Sequence, residues 1–170
     1  MARKSSLRDF QSYLAGRLSD AALGHGAASW LGIDVSGEAW LIDLSDGGEI
    51  VQAPQLANVP LTYPWFSGIA NVRGNLHAVT DFSAFLGSQP TPRNANARLL
   101  LIGARYGSNA ALLVSRMLGL KKPEHFNETT ADNTFHAWGR QRFTDADGRV
   151  WRKLAVRELL ADQRFMNIGI

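Results

Sequence analysis

The sequence predicts an all-β fold of two small packed barrels, with an amphipathic helix in front of them. Three observations support this prediction. Short apolar segments alternate with turn signals from Ser29 onward, the two halves of that region follow one plan, and residues 7–22 show the apolar spacing of a helix. A chain of 170 residues is long enough for one sizeable domain, or for two small units around a shared core.

The N-terminal region, residues 1–27, carries the predicted helix and a link. Ser6 and Asp9 resemble a capping box, and Gly24-His25-Gly26 ends the helical pattern. Between them, apolar residues recur at helical spacing: Leu7, Phe10, Leu14, Leu18 and Ala21. We predict an amphipathic helix from about Leu7 to Ala22. Its apolar stripe either docks on the rest of this chain or binds a partner protein.

The strands of the first half are bounded by turn residues. Ser36-Gly37 and Arg73-Gly74-Asn75 each join two apolar runs into a hairpin, because glycine and asparagine tolerate a positive φ. Pro54, Pro60 and Pro64 mark a long loop that excludes a central strand. The predicted elements are strands at Trp30–Val35, Glu38–Leu44 and Glu49–Val51, a hairpin over Trp65–Phe82, and one helical turn over Phe82–Leu86.

A polar linker or exposed loop, residues 88–97, separates the first half from the second. The predicted elements after it are strands at Arg98–Ala104, Asn109–Met117, Thr134–Phe143 and Arg149–Leu154, a polar loop over Lys121–Asn133, a turn at Asp145–Gly148 and a helix over Val156–Asp162. We therefore expect residues 28–165 to form two β subdomains that divide near residues 88–97. Residues 166–170 form a tail.

A weak internal repeat relates the two halves. Residues 74–86 align without gaps on residues 148–160, which pairs a turn glycine, a strand and a short helical turn in each half. The strand-turn-strand plan of Leu31–Leu41 recurs in Leu100–Val114. The repeat predicts two related β subdomains of about 70 residues each, packed together.

Composition excludes several classes of protein. The chain has no cysteine, so it forms neither a disulfide framework nor a thiolate metal site. Its net charge of +3 comes from scattered residues, which argues against nucleic acid as a partner. No run reaches the roughly 20 apolar residues of a membrane helix, and no signal-peptide core follows the basic N-terminus. We expect a cytoplasmic protein without direct membrane insertion.

The sequence also lacks the motifs of known catalytic centres. It contains no phosphate-binding loop, no dinucleotide fingerprint and no zinc-protease motif. The four histidines lack metal-ligand spacing, and Asp145–Gly148 departs from a calcium loop because its glycine comes too early. We therefore predict that the protein is not an enzyme, and that it has no cofactor and no metal site.

The stretch from Trp65 to Phe82 carries the candidate binding residues. Arg73 stands at the hairpin turn, where a long charged side chain either contacts a partner or pairs with a carboxylate such as Glu49. Both roles remain open, and one residue can serve both. Trp65 and Phe66 follow a proline; they either cover one barrel or anchor an interface.

The same stretch resembles the centre of the CheW-like adaptor domain. Asn71-Val72-Arg73-Gly74, with Val79-Thr80-Asp81-Phe82 after it, carries the resemblance, and Leu113–Leu120 resembles a later segment of the family. The basic N-terminus and the sequence from Pro64 to Gly74 are most similar to the members of this family that act in type IV pilus signalling. Two departures are Ala78, where the family has proline, and Ser115, where it has aspartate.

The resemblance implies two five-stranded SH3-like barrels and an adaptor without catalytic activity. The implied partners are a CheA-type histidine kinase and the cytoplasmic tip of a methyl-accepting chemoreceptor, in twitching motility or chemotaxis. The implied contact surface is formed by Asn71, Val72, Arg73 and Gly74, with Trp65 and Phe66 as further partner-binding candidates. The alternative function is a small-barrel nucleic-acid-binding module or another binding module.

Overall fold

Two mixed β-sheets form most of the protein. The computed structural model describes residues 28–102 and 104–170, so the helix predicted at Leu7–Ala22 lies outside the described residues. The strands are β1 (Trp30–Val35), β2 (Glu38–Asp43), β3 (Gly47–Gln52), β4 (Phe66–Val72), β5 (Asn75–Asp81), β6 (Arg98–Ile102), β7 (Ala110–Val114), β8 (Arg116–Lys121), β9 (Asn127–Thr129), β10 (Arg142–Thr144) and β11 (Val150–Leu154). The helices are α1 (Phe82–Phe85), α2 (Val156–Ala161) and α3 (Gln163–Met166), with 3₁₀ turns at Ala104–Tyr106, Pro123–His125 and Ala137–Gly139.

Each sheet combines strands from both halves of the chain. The larger sheet has the order β8-β1-β2-β11-β10-β9, and the smaller has the order β3-β6-β7-β5-β4. The β2–β11 and β5–β7 pairs are parallel, whereas the other pairs are antiparallel. β3 leaves its own half to pair with β6, and β8 returns to pair with β1. This exchange of strands joins the two halves through backbone hydrogen bonds.

The weak sequence repeat corresponds to a structural repeat. In chain order and in sheet neighbours, β1, β2, β3, β4, β5 and α1 match β6, β7, β8, β10, β11 and α2. The gapless alignment pairs Phe82 with Val156 and Phe85 with Leu159, and all four side chains are buried in one apolar cluster. The predicted all-β fold of two packed units is confirmed. β9 adds a sixth strand to one unit, and the pairing of the described strands leaves each sheet open.

Three apolar clusters explain why many strands have continuous apolar sequences. The largest cluster lies between the sheets and contains Ile33 of β1 and Leu112 of β7. Leu113, next to Leu112 on β7, lies in the second cluster on the opposite face of the smaller sheet. Leu41 of β2 lies in the third cluster, on the opposite face of the larger sheet. Every residue of β7 is buried. A strand covered on both faces requires apolar side chains at every position rather than at every second one.

Three stretches differ from the sequence prediction. The single strand predicted at Asn109–Met117 is wrong, because the chain divides at Ser115 into β7 and β8, which pair in different sheets. The predicted strand at Thr134–Phe143 is wrong over most of its length, since it contains a 3₁₀ turn and a strand only from Arg142. Its aromatic residues pack instead on the larger sheet: the Trp138 ring stacks on Trp40 at 6.1 Å between centroids. The predicted loop at Lys121–Asn133 contains a second 3₁₀ turn and β9. Tertiary packing here overrides local propensity.

The predicted subdomain boundaries stay predictions. The linker at residues 88–97 is held by Thr91, which is buried and donates through its backbone N and its hydroxyl to the Asp81 carboxylate at 2.8 and 2.7 Å. The tail is also bonded, because the backbone N of Ile170 donates to the Leu61 carbonyl at 3.0 Å. Both segments therefore belong to the folded structure.

Candidate partner-binding surface

The β4–β5 turn presents Arg73 to solvent in a left-handed backbone conformation. Arg73 has φ 53° and Gly74 has φ 86°, so both central residues of the turn are at positive φ, as a two-residue hairpin of type I′ requires. The backbone N of Gly74 donates to Asn71 Oδ1 at 2.8 Å, so the Asn71 side chain closes the turn. Asn71, Arg73 and Gly74 are exposed, whereas Val72 is half-buried against the smaller sheet's outer cluster.

Arg73 lies against Glu49, on the strand at the opposite edge of the same sheet. The Arg73 Nη2 to Glu49 Oε1 distance is 2.6 Å, and Nη1 donates to Oε2 at 3.0 Å, so the pair is bidentate. The Arg73 side chain is 73% exposed and that of Glu49 is 32% exposed. Solvent at both partners keeps the pair's contribution to stability small, at about 0–1 kcal/mol. Most of the Arg73 side chain remains accessible to a partner.

Trp65 and Phe66 lie next to each other in sequence but in different environments. Phe66 is only 6% exposed. Trp65 is half-buried, with its ring 5.1 Å from Phe85 and stacked on Tyr63 at 5.8 Å. The geometry gives both residues a role in covering the interior, and it leaves part of Trp65 for contact. Their role in partner binding stays a prediction.

The β1–β2 turn has the same construction, a likeness that the sequence prediction missed. Asp34-Val35-Ser36-Gly37 repeats the x-Val-x-Gly spacing of Asn71–Gly74, with φ 53° at Ser36 and 88° at Gly37. The backbone N of Gly37 donates to Asp34 Oδ1 at 2.9 Å. Asp34 Oδ2 also accepts from Arg116 Nε and Nη2, both at 3.2 Å. The turn itself is predicted from Ser36-Gly37, and the shared spacing is the sequence signal from which its likeness to the β4–β5 turn follows.

A model of the CheW-like domain family matches residues 29–164 of this chain. The chain belongs to this family. It is 30% identical over 100 residues to the protein PilI of Pseudomonas aeruginosa, an alignment that covers 58% of this chain and 54% of PilI. The chain thus spans about half the length of this curated relative.

The fold also matches a solved CheW-like structure. The scaffolding protein TtCheW from Thermoanaerobacter tengcongensis superposes with a TM-score of 0.63 at 18% identity, covering 76% of this chain and 90% of that one. The likeness to TtCheW establishes the fold. Membership of the CheW-like family supports a role as an adaptor in chemotaxis-type signalling.

The two residues that depart from the family pattern both make hydrogen bonds. The backbone N of Ala78 donates to the Asn109 carbonyl at 2.8 Å, a bond that proline could not form because it lacks the N–H. At Ser115 the chain crosses from β7 to β8, and Ser115 Oγ accepts from the backbone N of Ser36 at 3.2 Å. Both residues therefore make hydrogen bonds that connect different parts of this CheW-like domain.

A polar cluster connects the β2–β3 turn to the 3₁₀ turn after β6. Tyr106 Oη donates to Asp46 Oδ1 at 2.6 Å, and Arg105 Nη2 donates to Tyr106 Oη at 2.7 Å. Burial and the hydrogen bond to the Asp46 carboxylate raise the pKa of Tyr106 above its ordinary value. The phenol therefore stays protonated, and it holds the turn that leads into β3, the strand that carries Glu49.

An apolar groove opens on one face of β5, and we call it the β5 groove. It has a volume of about 380 Å³. Ala78 and Ala110 line its floor, and Ile69, Leu76, Met166 and Ile168 belong to its wall. Leu76 and Met166 are 60% and 59% exposed. The sequence gives no sign of this groove, because apolar character alone does not distinguish the wall of an exposed groove from a core.

Within residues 28–102 and 104–170, no group of three or more histidine, aspartate or glutamate side chains is arranged to hold a metal ion. His77 is half-buried on β5, at the boundary between the β5 groove and a second groove beside Glu49 and Arg73. In the same described residues, no helix has both the length and the apolar character needed to cross a membrane.

Proposed function

We propose that this CheW-like domain is a non-catalytic adaptor that couples a chemoreceptor to a CheA-type histidine kinase in type IV pilus signalling. The surface centred on Asn71–Gly74 contacts one of these partners, with Arg73 as its central residue. The observation that carries the proposal is that Arg73 is both oriented and accessible. Its bidentate pair with Glu49 fixes the guanidinium, while 73% of the side chain remains exposed.

An oriented and exposed arginine suits recognition better than folding. The pair with Glu49 uses two of the five guanidinium N–H donors, which leaves the others for a carboxylate or a carbonyl of a partner. Because the pair restricts the side chain before binding, less conformational entropy is lost when a partner is bound. The likeness to PilI supports the pilus pathway, and the likeness to TtCheW, a scaffolding protein, supports the adaptor role.

The test is a charge reversal at Arg73, with binding measured by titration calorimetry. The titrants are a chemoreceptor cytoplasmic tip and a CheA-type regulatory domain from the same organism as the chain. We expect Arg73→Glu to weaken binding of one partner at least tenfold, because a like charge replaces a complementary one. Arg93→Glu is the matched control. It makes the same charge change on an exposed residue of the loop before β6 and leaves binding unchanged.

The double variant Arg73→Glu/Glu49→Arg separates charge recognition from folding. It restores an ion pair at the turn with reversed polarity, so its stability should match that of the unmutated protein. We expect its partner binding to stay weak. Recovery of binding in the double variant would show that the partner needs only an intact turn, and it would overturn the Arg73 contact. If the unmutated protein binds neither titrant, the adaptor proposal is wrong.

A further inference from the structure

The β5 groove of the smaller sheet has a wall held by backbone hydrogen bonds and a floor of small side chains. Its Ile168 side is held in place because the backbone N of Tyr63 donates to the Ile168 carbonyl at 2.9 Å, and Thr62 and Gly169 form an antiparallel bridge. Its floor has small side chains at Ala78 and Ala110, which are Cα partners in the β5–β7 pair. An apolar wall with two largely exposed residues, Leu76 and Met166, is a surface suited to another apolar element.

The structural repeat shows what covers the equivalent place on the larger sheet. The Ala78–Ala110 pair of β5 and β7 corresponds to the Arg152–Trp40 pair of β11 and β2. There, the Phe135 ring lies 4.0 Å from the Arg152 guanidinium carbon, and Trp138 stacks on Trp40. An aromatic segment of the chain thus covers this face of the larger sheet. Small side chains leave the corresponding space on the smaller sheet open as the β5 groove.

We propose that the N-terminal segment of this chain, residues 7–22, occupies the β5 groove as an amphipathic helix. Its stripe of Leu7, Phe10, Leu14 and Leu18 matches the aliphatic wall of the groove in chemistry, and Asp9 and Asp20 fall on the other side of the helix, facing water. Because the segment is covalently attached to the domain, its effective concentration at the groove is high even without strong contacts. This inference does not depend on the adaptor function.

The position at which the described chain begins allows this contact. Ser29 accepts from the backbone N of Leu44 at 3.0 Å, so the N-terminal segment leaves the domain near the start of β3. β3 and β5 are three strand positions apart, or about 14 Å. Six extended residues after Ala22 reach about 20 Å, and eight helical residues from Leu14 add about 12 Å. Leu14 therefore reaches the groove without strain.

Disulfide trapping tests the proposal directly, because the natural chain has no cysteine. Cysteines are introduced pairwise into the full chain, with Leu76→Cys combined in turn with Phe10→Cys, Leu14→Cys and Leu18→Cys. We expect at least one of these pairs to form an intramolecular disulfide within minutes of mild oxidation. The product is a monomer with altered mobility on a non-reducing gel, and reduction reverses it.

Two matched controls distinguish docking from random collision. Ser12→Cys with Leu76→Cys places the first thiol on the opposite face of the predicted helix. Leu14→Cys with Val150→Cys places the second thiol at the exposed residue that corresponds to Leu76 in the repeat. Both controls should cross-link at least tenfold more slowly. Equal rates in all pairs, no disulfide in any stripe pair, or a disulfide-linked dimer as the main product would each overturn the proposal.

Discussion

Arg73 occupies a backbone position at which glycine is the less strained choice. A left-handed conformation costs a non-glycine residue roughly 1 kcal/mol, and Arg73 has φ 53°. The ion pair with Glu49 offsets this cost only in part, because Arg73 is 73% exposed. An arginine that the turn does not need for folding is therefore more consistent with binding than with stability.

Substitutions at Arg73 separate the two roles. We expect Arg73→Ala to change the free energy of unfolding by no more than about 1 kcal/mol, because an exposed ion pair contributes little. Arg73→Gly should be more stable than Arg73→Ala by about 1 kcal/mol, because glycine relieves the positive φ. Urea denaturation measures both values. A loss of several kcal/mol in Arg73→Ala would instead show that the pair is a structural requirement.

Gly68 must be glycine because the backbone of Ala57 leaves no space for a side chain. Its φ is 119°, and a Cβ there would overlap the carbonyl oxygen of Ala57. The contact is close because the backbone of Ile69 exchanges two hydrogen bonds with that of Ala57, at 2.8 and 2.9 Å. The long proline-containing loop is fastened to β4 in this way.

We expect Gly68→Ala to destabilise the protein by about 3 kcal/mol or more, because the new methyl group forces the backbone of the loop away from β4. Gly87→Ala is the matched control: Gly87 has φ 83° with open space around it, so only the conformational cost of about 1 kcal/mol applies. Chemical denaturation compares the two. Equal losses would mean that the loop shifts freely and is not fastened.

At the scale of elements, the sequence predicts the hairpin turns. It does not predict the course of the covering segment, the aromatic stretch around Phe135 and Trp138 that packs on the larger sheet. The sequence predicts turns at Ser36-Gly37 and Arg73-Gly74-Asn75 because local chemistry determines the conformation there; Asn75 itself begins β5, and the positive φ angles fall on Arg73 and Gly74. The segment around Trp138 was predicted as a strand, because aromatic residues favour strands. Its course is determined by distant partners instead: Trp138 Nε1 donates to Asp162 Oδ2 at 2.7 Å, and the ring packs on Trp40. No local pattern contains that information.

Asp162 fastens this covering segment to α3, and its bonds make stability depend on pH. Burial alone would raise the pKa of Asp162, but hydrogen bonds from Trp138 Nε1 and from the backbone N of Arg164 lower it below its ordinary value. The stabilisation is therefore fully present above the pKa of the unfolded chain, about 3.9. It is lost as the pH falls through the lower pKa of the folded protein.

We expect Asp162→Asn to melt at a lower temperature than the unmutated protein at pH 7, with the difference shrinking as the pH falls below about 4. Melting temperatures measured from about pH 2.5 to pH 7 test this, a range that spans the titration of an aspartate. Asp147→Asn, at an exposed carboxylate of the β10–β11 turn, should follow the unmutated protein throughout. A difference for Asp162→Asn that stays constant over the whole range would contradict the assigned role.

At the scale of the whole molecule, the repeat was visible in the sequence but the exchange of strands was not. The alignment of residues 74–86 with 148–160 predicted two related units, and both units are present. The pairing of β3 with β6 and of β8 with β1 depends on contacts between residues far apart in the chain. The sequence places Arg73 at a turn and names Glu49 as its pair. It does not identify the β5 groove, because that groove also depends on contacts between residues far apart in the chain.

The exchange predicts that neither half of the domain folds alone. A cut between Arg93 and Asn94, both exposed, gives fragments 1–93 and 94–170. The first fragment contains β3 without β6 and β1 without β8, so a sheet edge and its apolar contacts are lost; the second fragment has the corresponding losses. We expect each fragment to lack a cooperative melt by circular dichroism, and their equimolar mixture to regain β-sheet signal and one transition.

The uncut chain is the control for this experiment, because it keeps every exchanged strand in place. It should unfold in a single transition, with the same midpoint whether tryptophan fluorescence or hydrogen exchange of β5 is followed. Both probes report one event because the backbone bonds of β3 to β6 and of β8 to β1 connect the two halves. A cooperative melt of either isolated fragment would show that the halves are independent domains, and that the exchanged strands contribute little to their stability.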